Sequence, residues 1–161
     1  DAPYKLNDVI LLDDGTRGRV TEIGLRSTRM HTKDEIEINV PNSVLGNMKI
    51  ENRSAGPMRA ERLAVSVGVA YGSDIDEVIA LLSECALGVE DIEKEPPPAV
   101  RFVGFGDSSL DLEVYVWSLP NEAELISHEL HCRIYKALGE AKIEIPFPQT
   151  DLYVRAMPDE G

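Results

Sequence analysis

Cationic residues are scarce in this sequence, and scarce in one place. The 161 residues hold 16 Lys and Arg against 29 Asp and Glu, for a formal net charge of −13. Residues 1–60 carry nine bases and nine acids, whereas residues 61–161 carry seven bases and twenty acids. The whole imbalance therefore lies in the second stretch. A phosphate backbone is gripped by Lys and Arg, so the imbalance argues against a broadly nucleic-acid-binding second half. The break in charge places a seam near residue 60 and predicts two domains, 1–60 and 61–161.

Cysteine is scarce too. Cys85 and Cys132 are the only two, too few for a disulfide framework. Both sit among apolar neighbours in segments with helical spacing and are expected to be reduced core residues. Long apolar runs are missing. The longest, Leu63–Tyr71 and Val78–Leu82, fall far short of the roughly 18–20 residues that a spanning helix needs. No basic-then-apolar stretch resembles a signal peptide. The chain by itself is expected to be soluble. It begins with Asp1 rather than Met, which leaves open that it is a piece of a longer protein. With 43% apolar residues there is enough material for a folded core.

The first sixty residues read as short strands. Val9–Leu12 ends in the turn Asp13-Asp14-Gly15, and Gly18–Ile23 and Leu25–His31 follow, rich in β-branched residues. Glu35–Val40 alternates, with Ile36, Ile38 and Val40 on one face. Pro41-Asn42-Ser43 stops it, and Met48–Asn52 is the fifth strand. Five such strands suggest a small bent barrel or sandwich whose open edges a neighbouring copy can cover.

The second stretch alternates element types. Leu63–Tyr71 places Leu63, Val65, Val67 and Val69 on one face and Ala64, Ser66, Gly68 and Ala70 on the other. Asp74 with Glu77 has the spacing of a helix-starting capping box, apolar residues recur from Ile75 to Ala86, and Gly88 suits the C′ position. Beyond the acidic loop Glu90–Glu95 and Pro96–Pro98, Val100–Phe105 and Leu110–Trp117 form a hairpin. Asn121 with Glu124 marks a second helix start; Ile126, Leu130, Ile134 and Leu138 recur every four residues, and Gly139 ends the run. Lys142–Ile145 and Leu152–Arg155 are extended. The order β-α-β-β-α-β is that of a ferredoxin-like sandwich, so the fold class is α+β.

No catalytic, cofactor or metal site emerges. His128, His131 and Cys132 share one helix, but a structural zinc needs four ligands and no second cluster supplies the rest. Gly104-Phe105-Gly106 precedes a strand rather than a helix and reads as a hairpin turn, not a phosphate loop. Ser108 and Ser109 lack the flanking glycines of a nucleophile elbow. Asp74 and Asp76 lack the Gly and terminal Glu of a calcium loop. Arg17, Arg19, Arg26 and Arg29 are offset by nearby acids and suit an interface better than an RNA groove.

Five short motifs, taken in order, carry a resemblance. They are Leu25-Arg-Ser-Thr28, Val40-Pro-Asn-Ser43, Gly68-Val-Ala-Tyr-Gly-Ser-Asp-Ile75, Val114-Tyr-Val-Trp117 and Ile145-Pro-Phe-Pro-Gln149. Together they resemble the cytoplasmic region of the small-conductance mechanosensitive channel (MscS) family. The resemblance implies an Sm-like five-stranded β domain followed by an α/β domain. It also implies upstream membrane helices that the chain lacks, and a homoheptameric ring enclosing a vestibule with side portals. Such a channel lies in the inner membrane with this part on the cytoplasmic side. It releases ions and small osmolytes on hypoosmotic shock, with no enzyme activity, cofactor or nucleic acid. Pro41, Asn42 and Ser43 fall where the family places a strand corner near the portals. The rival readings are a ligand-sensing module and an Sm-like RNA-binding module.

Overall fold

A computed structural model describes residues 2–54, 60–156, 158 and 159. Eleven elements follow in order: β1 (Val9–Leu12), β2 (Arg17–Ile23), β3 (Ser27–His31), β4 (Glu37–Pro41), α1 (Asn42–Leu45), β5 (Ile50–Asn52), β6 (Glu61–Val69), α2 (Ile75–Leu87), β7 (Ala99–Phe105), β8 (Leu110–Ser118) and α3 (Ala123–Glu140). They form two sheets. The first is antiparallel with order β4-β3-β2-β1-β5, and the second is antiparallel with order β6-β8-β7. Each has its own apolar cluster. Ile10, Leu12, Val20, Met30, Val40 and Leu45 fill the first.

The second cluster joins one sheet face to both helices. Val65, Val67 and Val69 of β6 and Leu112, Val114 and Val116 of β8 meet Val78 and Leu82 of α2 and Ile126, Leu130, Ile134 and Leu138 of α3. Period-two apolar strands and period-four apolar helices each present one greasy face, and burying them together makes the layer. The opposite face of this sheet carries Arg62, Arg101, Asp111 and Glu113, two charges of each sign. Arg62 stacks over the Tyr115 ring at 4.4 Å, and Ser66 Oγ donates to Glu113 at 2.9 Å. The bare sheet face is thus neutral, and about half of the acidic excess of the second stretch sits on the helix layer and the 88–98 loop, where ten acids meet three bases.

Several expectations are corrected in detail. The third strand starts at Ser27, not Leu25: Gly24 N–H donates to the Ser27 carbonyl at 2.8 Å, closing a turn that leaves Leu25 fully exposed. The fourth starts at Glu37, because Glu35 has a left-handed φ of 63°. As a result Ile36 is exposed while Val40 is buried. Pro41 is the last residue of β4, as expected, and sits on the sheet edge, where its missing N–H costs no ladder bond. Asn42 and Ser43 then open the one-turn helix α1 rather than a simple turn.

Asp74 caps α2 as expected, its Oδ1 accepting from Asp76 N–H at 3.0 Å and Glu77 N–H at 3.2 Å. Gly88, however, is right-handed. A Cβ there would crowd only the movable end of Arg133, Nη1 at 2.9 Å. Asn121 does not cap α3; the turn closed by Glu122 N–H to Leu119 C=O sets it one residue outside, and Glu122 takes the cap position without a side-chain bond. Gly139 does not end α3 either. The helix runs to Glu140, and Lys142 takes the left-handed conformation at φ 56°. Lys142 N–H bonds the Gly139 carbonyl at 3.2 Å and Ile143 N–H bonds the Leu138 carbonyl at 2.9 Å, a Schellman pair.

The mixed α+β class stands, but the last strand of the β-α-β-β-α-β order is reduced. Lys142–Ile145 joins no ladder; Ala70 N–H donates to the Glu144 carbonyl at 2.9 Å, and Ile143 packs against the core. The left-handed Lys142 before it and Pro146 after it leave too little regular backbone for a ladder. Leu152–Arg155 is exposed and unpaired within the described residues.

Candidate functional site: the strand corner

Pro41, Asn42 and Ser43 lie where β4 runs into α1. The β3–β4 ladder sets Ser27 opposite Pro41 and Thr28 opposite Val40, so the motifs Leu25–Thr28 and Val40–Ser43 come side by side. Asn42 is the knot between them. Its backbone N–H donates to the Arg26 carbonyl at 2.8 Å, and its Nδ2 donates to the Gly24 carbonyl at 2.9 Å. Its Oδ1 accepts from Thr28 Oγ1 at 2.8 Å. Thr28 is wholly buried, so this bond satisfies a hydroxyl that has no water to turn to. The carbonyl of Asn42 accepts from Gly46 N–H at 2.9 Å, closing α1.

The consequence is a rigid turn with an apolar tip. Leu25 is exposed, and Ile23 and Val44 are partly so. Ser43 is exposed, its carbonyl accepting from Asn47 Nδ2 at 2.9 Å. Pro41 is exposed on the edge strand. Nothing here activates a nucleophile or moves a proton; the corner positions backbone and presents a surface. Sequence motifs alone showed two separate stretches. The hairpin register joins them, and the signal was there in a polar, buried-strand Thr28 facing a turn-forming Asn42.

The other candidates stay apart. Cys132 Sγ is 3.8 Å from His128 Nε2 on an exposed face of α3, so Cys132 is not the core residue expected. His131 Nδ1 lies 2.7 Å from the Ser127 carbonyl oxygen, which makes Nδ1 the protonated nitrogen. Among the described residues no group of three or more His, Cys, Asp or Glu is placed to hold a metal ion. Ser109 Oγ donates to Asp111 at 2.6 Å, and Gly106 N–H donates to the Ser109 carbonyl at 2.7 Å, the geometry of a hairpin loop. Cys85 is buried, and burial together with the Glu84 charge pushes its thiol pKa up. No helix of the described residues is long and apolar enough to cross a membrane.

Comparison with known proteins supplies the family. The description "Mechanosensitive ion channel, beta-domain" matches residues 1–55, and "Mechanosensitive ion channel MscS, C-terminal" matches residues 63–145. The chain belongs to the MscS family. That family is one of ion channels and not of enzymes. A small-conductance mechanosensitive channel of Helicobacter pylori is 30% identical over 95% of this chain and 55% of its own length. One of Edwardsiella ictaluri is 33% identical over 94% of this chain and 52% of its own. Mechanosensitive channel MscK of Escherichia coli is 30% identical over 96% of this chain but 14% of its own. The closed-state crystal structure of Helicobacter pylori MscS superposes with a TM-score of 0.82 at 29% identity, covering 96% of this chain and 60% of that one. Arabidopsis thaliana MSL1 shares the fold, with a TM-score of 0.66 at 17% identity over 91% of this chain and 54% of its own. This MscS-family chain thus spans about half the length of the shorter curated relatives it matches.

Proposed function

We propose that this MscS-family chain is the cytoplasmic vestibule wall of an inner-membrane mechanosensitive channel. Seven copies form the ring, and ions and small osmolytes leave through it on hypoosmotic shock. The chain divides near residue 60 into an Sm-like ring-forming domain, 1–60, and an α/β domain, 61–161, that extends the wall. Pro41, Asn42 and Ser43 form the corner next to the portals and the membrane helices.

The observation that carries this reading is the open first sheet. Its edges, β4 and β5, have no second strand partner among the described residues. An unpaired edge exposes a row of N–H and C=O groups that invites another strand. Two different edges on one body pair head to tail, and a head-to-tail contact that closes on itself makes a ring. Large apolar side chains left in water on the second unit, Phe105, Leu125 and Tyr135 among them, add surface for neighbouring copies to cover.

Wall charge follows from the same reading. The acids of α2, α3 and the 88–98 loop outnumber the bases there, and a vestibule lined by that layer enriches cations. Screening over about 8–10 Å cancels the field only in part when portals are of similar width. The test is electrical. The full-length channel in a membrane patch should open under tension, and its reversal potential in a salt gradient should show a cation bias. Absence of tension-activated current overturns the channel reading; a clear anion preference overturns the wall-charge reading alone.

A further inference from the structure

One ion pair ties the two sheets together. Arg17 on β2 reaches Glu61, the first residue of β6, with Nη1 3.4 Å from Oε2 and Nη2 nearer still to Oε1. Among the described residues no other hydrogen bond or ion pair joins residues 2–54 to residues 60–159. The two apolar clusters are separate as well. Beside the pair lies a cleft of about 800 Å³, walled by Arg19, Thr32 and Ile36 on one side and by Leu63, Pro120 and Ala123 on the other. Packed interiors leave no space of that size. Along this edge the cleft stands between the two units, and neither core cluster crosses it.

We propose that Arg17 and Glu61 form an ionic-strength-sensitive latch on a hinge between the two units. Their side chains are 40% and 19% exposed, so dissolved salt reaches them. The Debye length falls from about 30 Å at 0.01 M to about 3 Å at 1 M. Attraction between the two side chains is full in dilute salt and weakened in concentrated salt, where the Debye length shrinks to about the separation of the pair. Long-range charge does not compete strongly, because residues 1–60 are neutral overall while residues 61–161 hold the −13. The local pair decides. Exposed pairs are weak, so the latch shifts the closed-to-open ratio by roughly two- to five-fold rather than locking it. If the copies form the ring proposed above, the bias repeats around the wall, which stiffens as internal salt drains out.

The latch is read by a distance measurement on the chain itself. Spin labels go on Asn39→Cys in the first unit and on the exposed native Cys132 in the second. Dilution with unlabelled chain restricts the signal to distances within one copy. The expected distribution is narrow in about 0.02 M KCl and gains roughly two- to five-fold more of the open population in about 1 M KCl. Arg17→Gln should be broad in both. The swap Arg17→Glu with Glu61→Arg should restore the salt response, which distinguishes a latch from mere loss of a side chain. A wild-type distribution blind to salt overturns the proposal. So does an Arg17→Gln distribution matching wild type in dilute salt, or a swapped pair that never regains the response. None of these outcomes bears on whether the channel opens under tension.

Discussion

The Thr28 hydroxyl donates a 2.8 Å hydrogen bond to the Asn42 side-chain oxygen, and Thr28 is wholly buried. Fourteen residues apart, the two are brought together by the β3–β4 register. The bond holds Asn42 so that its Nδ2 closes the turn at Gly24. The exposed Leu25 is therefore presented by a fixed turn, not a floppy one.

Asn42→Ala removes this acceptor and the donor to Gly24, and strands the Thr28 hydroxyl. The expected loss is about 1–3 kcal/mol, since an unmatched buried polar group costs more than its bond contributed. Thr28→Val in the same background should cost far less than it does alone, because the hydroxyl has already lost its partner. Urea unfolding of the two single variants and the double variant measures this coupling. Additive effects would contradict the bond's role.

Lys142 holds φ at 56° to close the Schellman cap of α3. An L side chain pays for the left-handed region, and glycine does not. Lys142→Gly is therefore expected to stabilise the chain by about 0.5–1 kcal/mol, seen as a higher Tm. Lys142→Val should lower Tm, because a β-branched side chain fits that region worse. A lower Tm for the glycine variant would mean that the lysine side chain contributes more than its backbone costs.

Cys85 and Cys132 should react at different rates. Burial and Glu84 raise the Cys85 thiol pKa from its usual 9.0, whereas Cys132 is exposed. Reaction needs an accessible thiolate. At neutral pH an alkylating reagent should modify Cys132 well before Cys85, as read by peptide mass. The raised folded pKa also sets a sign for stability. Protonated Cys85 favours the folded state, so its contribution is complete below the usual value and is lost as pH rises through the folded one. Cys85→Ser should flatten that alkaline decline in a pH series of unfolding measurements.

Much of the fold was legible because its signals are local. The Asp74 cap and the apolar spacing of α2 lie within one segment, as does the alternation of β8 from Leu110 to Val116. Element ends were less legible. Gly88 sits at the C-terminal cap of α2 as its position suggests, but in a right-handed conformation that its residue type does not reveal. Whether Gly139 or Lys142 ends α3 depends on how Ile143 docks onto the core. The corner motif was legible as a location, but its bonding was not. Asn42 acts on residues 14 and 18 positions away, beyond any short-range pattern.

The sequence by itself determined the longer strands and helices, β6, β8, α2 and α3 among them, because periodicity is written in side-chain order. It also determined that residues 1–60 are neutral and residues 61–161 carry −13. The tertiary structure alone decided that the bare sheet face carries two charges of each sign, so that none of the excess lies there. It alone reduced the Lys142–Ile145 strand to one backbone bond. It also set Arg17 against Glu61, 44 residues on, as the polar tie between the sheets. Contacts of that range depend on how packed elements are oriented, and orientation is a property of the assembled core, not of any one stretch of chain.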